Sequence, residues 1–375
     1  MQILVVPDSF KESLSAKEVA DAIARGIHSV DPEITVKQLP FSDGGEGALD
    51  LLQNLFEGEL VTTSTIDAMG RSLKAPYFRF ADRKAAWIEL SQASGLAQIE
   101  VDRRNPMLAS TYGTGLQIRH ALDHGAEEIY LGIGGSATND GGTGILSALG
   151  GLFSDAEGEM LLPGGGFLTE LDHIDVEAIP QFQLKVACDV SNPLLGKQGA
   201  TAVHGPQKGV TPEMEPQLEA GLANFSKHIE LLTQKSVAEV PGAGAAGGCA
   251  AGLHGLLGAE LASGFELLAE LSNLELEIKE ADLVITAEGR IDGQSLEGKL
   301  PVGVAKLAKK HHKPIVVLAG SIGGNLDLLY ALGINSIFSI QNGPCTLKES
   351  MDNTAELIES TAQRVFRLFQ TARKS

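Results

Sequence analysis

Both ends of the chain alternate short apolar runs with segments of helical period, and each apolar run breaks off into a polar or glycine-bearing loop. Residues 3–6 stop at Pro7-Asp8-Ser9, and residues 16–27 follow with Val19, Ala20, Ile23 and Ile27 at helical spacing. Residues 34–39 form the next run, ending in Ser42-Asp43-Gly44-Gly45-Glu46-Gly47, and residues 48–55 are helical again. Parallel strands need a long crossover, usually a helix, so this β-α-β-α order predicts a parallel sheet with helices on its faces.

The C-terminal third has the same style. Residues 283–286 read as a strand, followed by a loop over 287–298 and a helix through 302–310. Residues 315–319 and 337–340 read as further strands. The tail from Lys348 to Thr371 reads as one long helix, with Met351, Ala355, Ile358, Ala362, Val365 and Leu368 on one stripe. The middle differs. It shows short β segments with turns over 61–97, a helix at 114–124, strands at 129–133 and 184–187, and a helix at 216–232. A chain of 375 residues is long enough for two cores. The expected α/β fold is therefore a discontinuous domain, 1–60 with 266–375, and an inserted α/β domain with a mixed sheet, 61–265, the active site lying in the cleft between them.

Glycine supplies 44 of the residues, well above an average usage of about 7%. The glycines cluster in short tracts beside polar residues, where backbone has to turn tightly or come close to something. Against 29 Lys and Arg stand 48 Asp and Glu, a net charge of −19, which lacks the basic footprint of a nucleic-acid binder. So acidic a surface repels anions, and any phosphate site has to be a local exception built from placed cations and backbone N–H groups. Cys188, Cys249 and Cys345 match no metal spacing and suit reduced thiols. The N-terminal apolar run has no basic segment before it, and apart from a Gly/Ala-rich stretch near 242–258, too short and too small-residued, nothing approaches a membrane span, so a cytoplasmic protein is expected.

The strongest loop is Gly134-Gly135-Ser136-Ala137-Thr138-Asn139-Asp140-Gly141-Gly142-Thr143-Gly144, set between an apolar strand, 129–133, and an apolar helix, 145–149. Strand, glycine-rich loop and helix can cradle phosphate, because free N–H groups at a helix start point at an anion. A second tract, 241–248, contains Gly244 and Gly247 ahead of Leu253, Leu256 and Leu257; it suits a nucleotide phosphate and equally suits close helix packing. Ligands of open α/β sheets bind at the carboxyl ends of strands, which is where Asp8, Ser9 and Lys11 fall, and likewise Asp43, Gly44, Gly45 and Glu46. Asp189 follows another strand and suits a general base or an Mg²⁺ ligand. Lys208 stands on a glycine-flanked loop, while Glu288, Arg290, Asp292 and Lys299 follow a strand; their cations are the local exceptions that the charge argument demands. The histidines show no ligand spacing and read as surface residues.

Together these tracts resemble the bacterial glycerate kinase family of the glycerate 2-kinase type. The matching motifs are VVPDSFKESLSA at 5–16, SDGGEG at 42–47, GGSATNDGG at 134–142, ACDVSNPLLG at 187–196, GPQKG at 205–209, PGAGAAGG at 241–248 and EGRIDGQSLEGK at 288–299. They run in family order over nearly the whole chain. The resemblance implies a flavodoxin-like domain with a smaller inserted one, and an ATP- and Mg²⁺-dependent kinase that converts D-glycerate to 2-phosphoglycerate. Three places depart from the family pattern: Ala287 where glycine is frequent, Cys249-Ala250-Ala251 where glycine and leucine are favoured, and His204 where an aromatic residue is usual.

Phosphoryl transfer needs alignment and charge neutralisation more than covalent chemistry. On this reading the glycine loops, with Ser136, Thr138 and Asn139, hold the nucleotide phosphates. Lys11, Lys208 and Arg290 offset charge on phosphate and carboxylate, and Arg71 is a further candidate for the glycerate carboxylate. Asp189 is the first candidate for base or Mg²⁺ ligand, with Asp8, Asp43 and Asp140 behind it, and Asp43 a second metal candidate. Small molecules, not nucleic acid or membrane, are the expected partners; the oligomeric state stays open. The rival readings are a kinase for another small hydroxy or sugar acid, a non-catalytic two-domain anion-binding protein, and a phosphosugar isomerase.

Overall fold

The structure, a computed structural model, describes residues 1–41, 48–292 and 300–374. Its strands, numbered along the chain, begin with β1 (Gln2–Pro7), β2 (Thr35–Gln38), β3 (Gly58–Ile66), β4 (Ser72–Phe80), β5 (Ala85–Glu89) and β6 (Glu128–Gly132). They continue with β7 (Leu152–Ser154), β8 (His173–Asp175), β9 (Gln183–Ala187), β10 (Glu260–Ala262), β11 (Leu283–Ile291), β12 (Ile315–Ile322) and β13 (Ser336–Ser339). The chain divides into two compact units, Met1–Asp43 with Leu268–Ser375, and Gly44–Leu267, so the inserted unit, expected to be the smaller, is the longer one.

In the first unit a five-stranded parallel sheet runs β2-β1-β11-β12-β13. Counted along the unit this is the flavodoxin-like order 2-1-3-4-5, whose direction reverses between β1 and β11. Ile3 and Val5 of β1 join a core with Val19, Ile23 and Ile27 of the helix Ala16–His28 and Ile358, Ala362 and Phe366 of the helix Thr354–Lys374. Leu4 and Val6 are equally buried but alternate to the other face, where the helices Leu274–Glu280 and Leu300–Lys310 pack. Helix Ala16–His28 starts in a capping box: Ser15 Oγ accepts from Glu18 N, and the Glu18 carboxylate accepts from Ser15 N. Gly26 lets the terminal helix come close, since a Cβ there would stand 2.3 Å from Glu359 O.

Two expectations for this unit are corrected. The tail is two helices, Leu347–Asp352 and Thr354–Lys374, and Leu368 is exposed while Phe366 is buried. A stripe drawn through 351 and 368 advances faster than an α-helix turns, so by the last turn the inward positions have moved to 366 and 369. Residues 287–291, expected in a loop, continue β11: Glu288 pairs with Ala319 and Arg290 with Ser321 of β12. Their charges disguised a strand whose end outruns β1.

In the second unit a six-stranded mixed sheet runs β10-β9-β6-β5-β4-β3. β3 and β4 form a long antiparallel hairpin, and β5, β6, β9 and β10 are mutually parallel. The core joins Ile88, Ile129, Leu131 and Val186 of the sheet to Ile118, Ile145, Leu146, Phe225, Ile229 and Leu253 of the covering helices.

Candidate functional site

Each unit carries a cavity at the carboxyl ends of its parallel strands. In the first unit a cavity of about 380 Å³ lies at the ends of β1, β11 and β12, beside the point where the strand order reverses. That is where an open α/β sheet leaves a crevice, because the connections from neighbouring strands leave in opposite directions. Asp8, Ser9, Lys11, Glu288 and Arg290 line it together with Phe10, Glu12, Ser13, Ser321 and Thr354. The loop after β1 is folded on itself by paired Phe10–Leu14 backbone bonds of 2.9 Å, and Asp8 Oδ1 accepts from Ser9 N at 2.6 Å. Glu288, Arg290 and Asp292 stand on one face by strand alternation, and Arg290 Nε donates to Asp292 Oδ2 at 2.8 Å. Ser42, Asp43, Gly44, Gly45, Glu46, Gly47 and Lys299 lie outside the described residues.

In the second unit a cavity of about 180 Å³ lies at the ends of β6 and β9. Gly134, Gly135, Ser136, Asp189 and Lys208 line it, with Cys188, His204, Gln207, Ala245 and Ala246. Gly134 and Gly135 are exposed, and a Cβ on Gly134 would meet nothing within 4 Å, so neither packing nor a positive φ explains that glycine. Lys208 is 2% exposed, and its Nζ donates to Ser136 Oγ at 2.8 Å and Thr138 O at 2.7 Å. Burial lowers its pKa to about 8 against the opposing pull of Asp140 and Cys249. An ammonium has three N–H donors, so with two used among the described residues one remains for a ligand. Asp189 is exposed, and its Oδ1 accepts from Gly264 N at 2.9 Å.

Other anticipated residues stand beneath the cavity wall. Asp140 is fully buried, and its carboxylate accepts from Thr111 N, Thr111 Oγ1, Gly142 N and Gly144 N at 2.7–3.3 Å. Burial raises its pKa against the pull of those four donors. The N–H groups of Gly142 and Gly144, expected free for phosphate at the start of helix Thr143–Leu149, thus already hold an internal carboxylate. Thr138 and Asn139 are fully buried; Asn139 Nδ2 donates to Thr201 Oγ1 at 3.2 Å. Gly244 and Gly247 are also packing positions. A Cβ on Gly247 would stand 2.1 Å from Thr138 O, and one on Gly244 2.3 Å from Pro193 O. Ala246, Gly247 and Gly248 take left-handed conformations within helix Ala245–Leu257, and Gly247 O accepts from Gly141 N at 3.0 Å. The two glycine tracts therefore interlock backbone to backbone. Arg71 is not on the wall: its Nε donates to Asp67 at 2.5 Å and its guanidinium to Gln98 O at 2.8 Å.

The sequence reading noted His204 as a departure from the family pattern but left it among surface histidines; its ring lines the second cavity and shares a 3.3 Å hydrogen bond with Asn192 Oδ1. Two signals were available: its departure from the family's usual aromatic residue, and its place four residues before Lys208 at the end of helix Ala200–His204. Phe10, Ser13 and Thr354 were missed as well; Ser13 Oγ donates to Thr354 Oγ1 across 341 positions of sequence, which no local pattern reveals.

A parallel-sheet unit of flavodoxin-like order and a mixed-sheet unit, each with an anion-suited cavity at its strand ends, define an α/β protein built to take small charged ligands. The sequence model of the glycerate kinase family matches residues 3–370. The chain is 44% identical over 369 residues to a glycerate kinase of Bacillus subtilis, covering 97% of each chain. It is 42% identical over 354 residues to a glycerate 2-kinase of Escherichia coli, covering 93% of each. A crystal structure described as a glycerate kinase 2, from Salmonella typhimurium LT2, superposes with a TM-score of 0.87 at 41% identity, covering 100% of this chain and 99% of that one. The chain belongs to the glycerate kinase family, and with it to the phosphotransferases that act on an alcohol group.

Proposed function

We propose that this enzyme transfers the γ-phosphoryl group of ATP to the 2-hydroxyl of D-glycerate, giving 2-phosphoglycerate and ADP. The observation that carries the acceptor assignment is the small cavity of the second unit, where a buried Lys208 and an exposed Asp189 share one wall with an unobstructed Gly134. Its volume of about 180 Å³ suits a three-carbon acid better than a sugar acid. Lys208 binds the glycerate carboxylate with its remaining N–H, and Asp189 accepts the proton of the reacting hydroxyl. Because Asp140 already occupies the helix N–H groups behind the loop, the nucleotide is assigned to the larger cavity of the first unit. There Lys11 and Arg290 offset phosphate charge, and Phe10, Ile340 and Met351 offer an apolar wall to a base.

Mg²⁺ needs one or two carboxylates beside the phosphates rather than a protein cage. Asp8 and Glu288 line the nucleotide cavity and would supply that donor chemistry. When bound, the ion neutralises phosphate charge. No helix among the described residues is long and apolar enough to cross a membrane, and dependence on ATP supports a cytoplasmic setting.

The test is a coupled assay with Mg-ATP, D-glycerate and enolase, with phosphoglycerate mutase left out. Enolase consumes only the 2-phosphate, so signal requiring both ATP and glycerate is the expected outcome. Stoichiometric ADP without enolase signal moves the phosphate to the 3-position. Folded protein that releases no ADP removes glycerate as the substrate.

A further inference from the structure

Resting on that reading's placement of glycerate in the second cavity, we infer that His204 is a specificity residue: its Nδ1 accepts a hydrogen bond from the 3-hydroxyl of the bound acid. Asn192 Nδ2 donates to Gln198 O at 2.8 Å, and a carbonyl can only accept, so the amide orientation of Asn192 is fixed with Oδ1 turned to His204. An amide oxygen also only accepts, so the 3.3 Å contact places the proton of His204 on Nε2. In a neutral ring Nδ1 is then a lone-pair acceptor. Among the described residues no donor reaches it, while the ring lines the cavity beside Asp189 and Lys208.

Two further facts keep the ring in that state. Burial first, and the Lys208 ammonium second, lower its pKa from the ordinary 6.5, so it is neutral at pH 7. The cavity supplies cationic and anionic groups in Lys208 and Asp189, and a carboxylate and a reacting hydroxyl occupy these under the proposed function. A second hydroxyl still needs an acceptor, and a cavity that buries it without one loses the hydrogen bond it had in water. A site built to hydrogen-bond a hydroxyl discriminates strongly against the analogue that lacks it.

The test compares D-glycerate with D-lactate, which keeps the carboxylate and the 2-hydroxyl and lacks the 3-hydroxyl. Calorimetric titration of the wild-type protein is expected to give affinity about 10- to 100-fold higher for D-glycerate. His204→Phe preserves the ring shape and removes both nitrogens; it is expected to bind the two acids alike, with D-lactate affinity unchanged. His204→Asn, whose side-chain oxygen sits near the position of Nδ1, is expected to restore part of the preference. A preference that survives in folded His204→Phe overturns the inference, and so does a wild-type protein that binds both acids equally. Long-range ¹H–¹⁵N spectra of the free protein are expected to show the proton on Nε2, and a proton on Nδ1 overturns the inference whatever the binding data. Wild-type binding without ADP release removes the kinase reading and leaves this one standing; binding of neither acid removes both.

Discussion

An ammonium group that keeps only 2% of its residue's surface in solvent has to be held by fixed dipoles, and Lys208 is held by a hydroxyl and a carbonyl. Two nearly neutral contacts do not replace bulk hydration, which is why its pKa falls from 10.5 to about 8. Between those values the unfolded chain binds more protons at this residue than the folded one. The cost of burying the charge is therefore fully present below pH 8 and fades as pH rises toward 10.5. Lys208→Met, which removes the charge at similar length, should narrow its stability difference from wild type, in one direction, as urea midpoints are followed from pH 7.5 to above 10. In catalysis the charged form is the useful one. kcat/KM should fall on the alkaline side with a midpoint near 8, and the kcat limb should lie higher because a bound anion favours the ammonium. At neutral pH Lys208→Met should lose about 10²–10³-fold in kcat/KM. An alkaline limb that is unchanged in Lys208→Met would assign that ionisation elsewhere.

At the scale of an element, the loop after β6, helix Thr143–Leu149 and the tract of helix Ala245–Leu257 that interlocks with them hold glycines of two kinds. Gly144 and Gly247 are there because a Cβ would stand 2.3 Å from Ser110 Oγ and 2.1 Å from Thr138 O, whereas the space at Gly134 is open. Gly144→Ala and Gly247→Ala should each destabilise by about 1–3 kcal/mol through overpacking. Gly134→Ala should leave the urea midpoint within error and raise KM for the acid, because its methyl group enters the cavity. Asp140→Ala strands four buried donors at about 1–3 kcal/mol for an unsatisfied group, so its effect on stability should be the largest of the set. Elements with a clean period were legible in the sequence, as in helix Ala48–Leu55 and strands β1 and β12, whereas β7, β8 and β10 are three residues long, too short for a period to show. The use of the loop was less legible. Nothing in Asn139-Asp140-Gly141-Gly142 announces that the carboxylate turns back to cap its own helix, because its first partners, Thr111 N and Oγ1, lie 29 positions away. Nor does a run of Glu, Gly and Arg announce that β11 continues through it along β12.

For the molecule as a whole, the two units have separate cores and separate cavities, so each ligand should leave its mark on one of them. Hydrogen exchange should show Mg-ADP protecting segments 8–13 and 288–290, and D-glycerate protecting 133–136 and 204–208. The reverse pattern would exchange the two assignments. The charge of −19 sets the remaining constraint, because both substrates are anions approaching a surface of their own sign. Among the described residues the cations assigned to them are Lys208, which is buried, Arg290, which is paired with Asp292, and the exposed Lys11, a small positive field against a net charge of −19. Raising ionic strength from about 0.01 M to about 0.15 M shortens the Debye length from about 30 Å to about 8 Å. That screens the distant acidic surface while leaving contacts inside the cavities almost untouched. KM for both substrates should therefore fall a few-fold over this range while kcat stays constant, as steady-state kinetics in sodium chloride would show. A rise in KM with salt would mean that the cavity cations steer the anions from beyond the surface, against the overall charge.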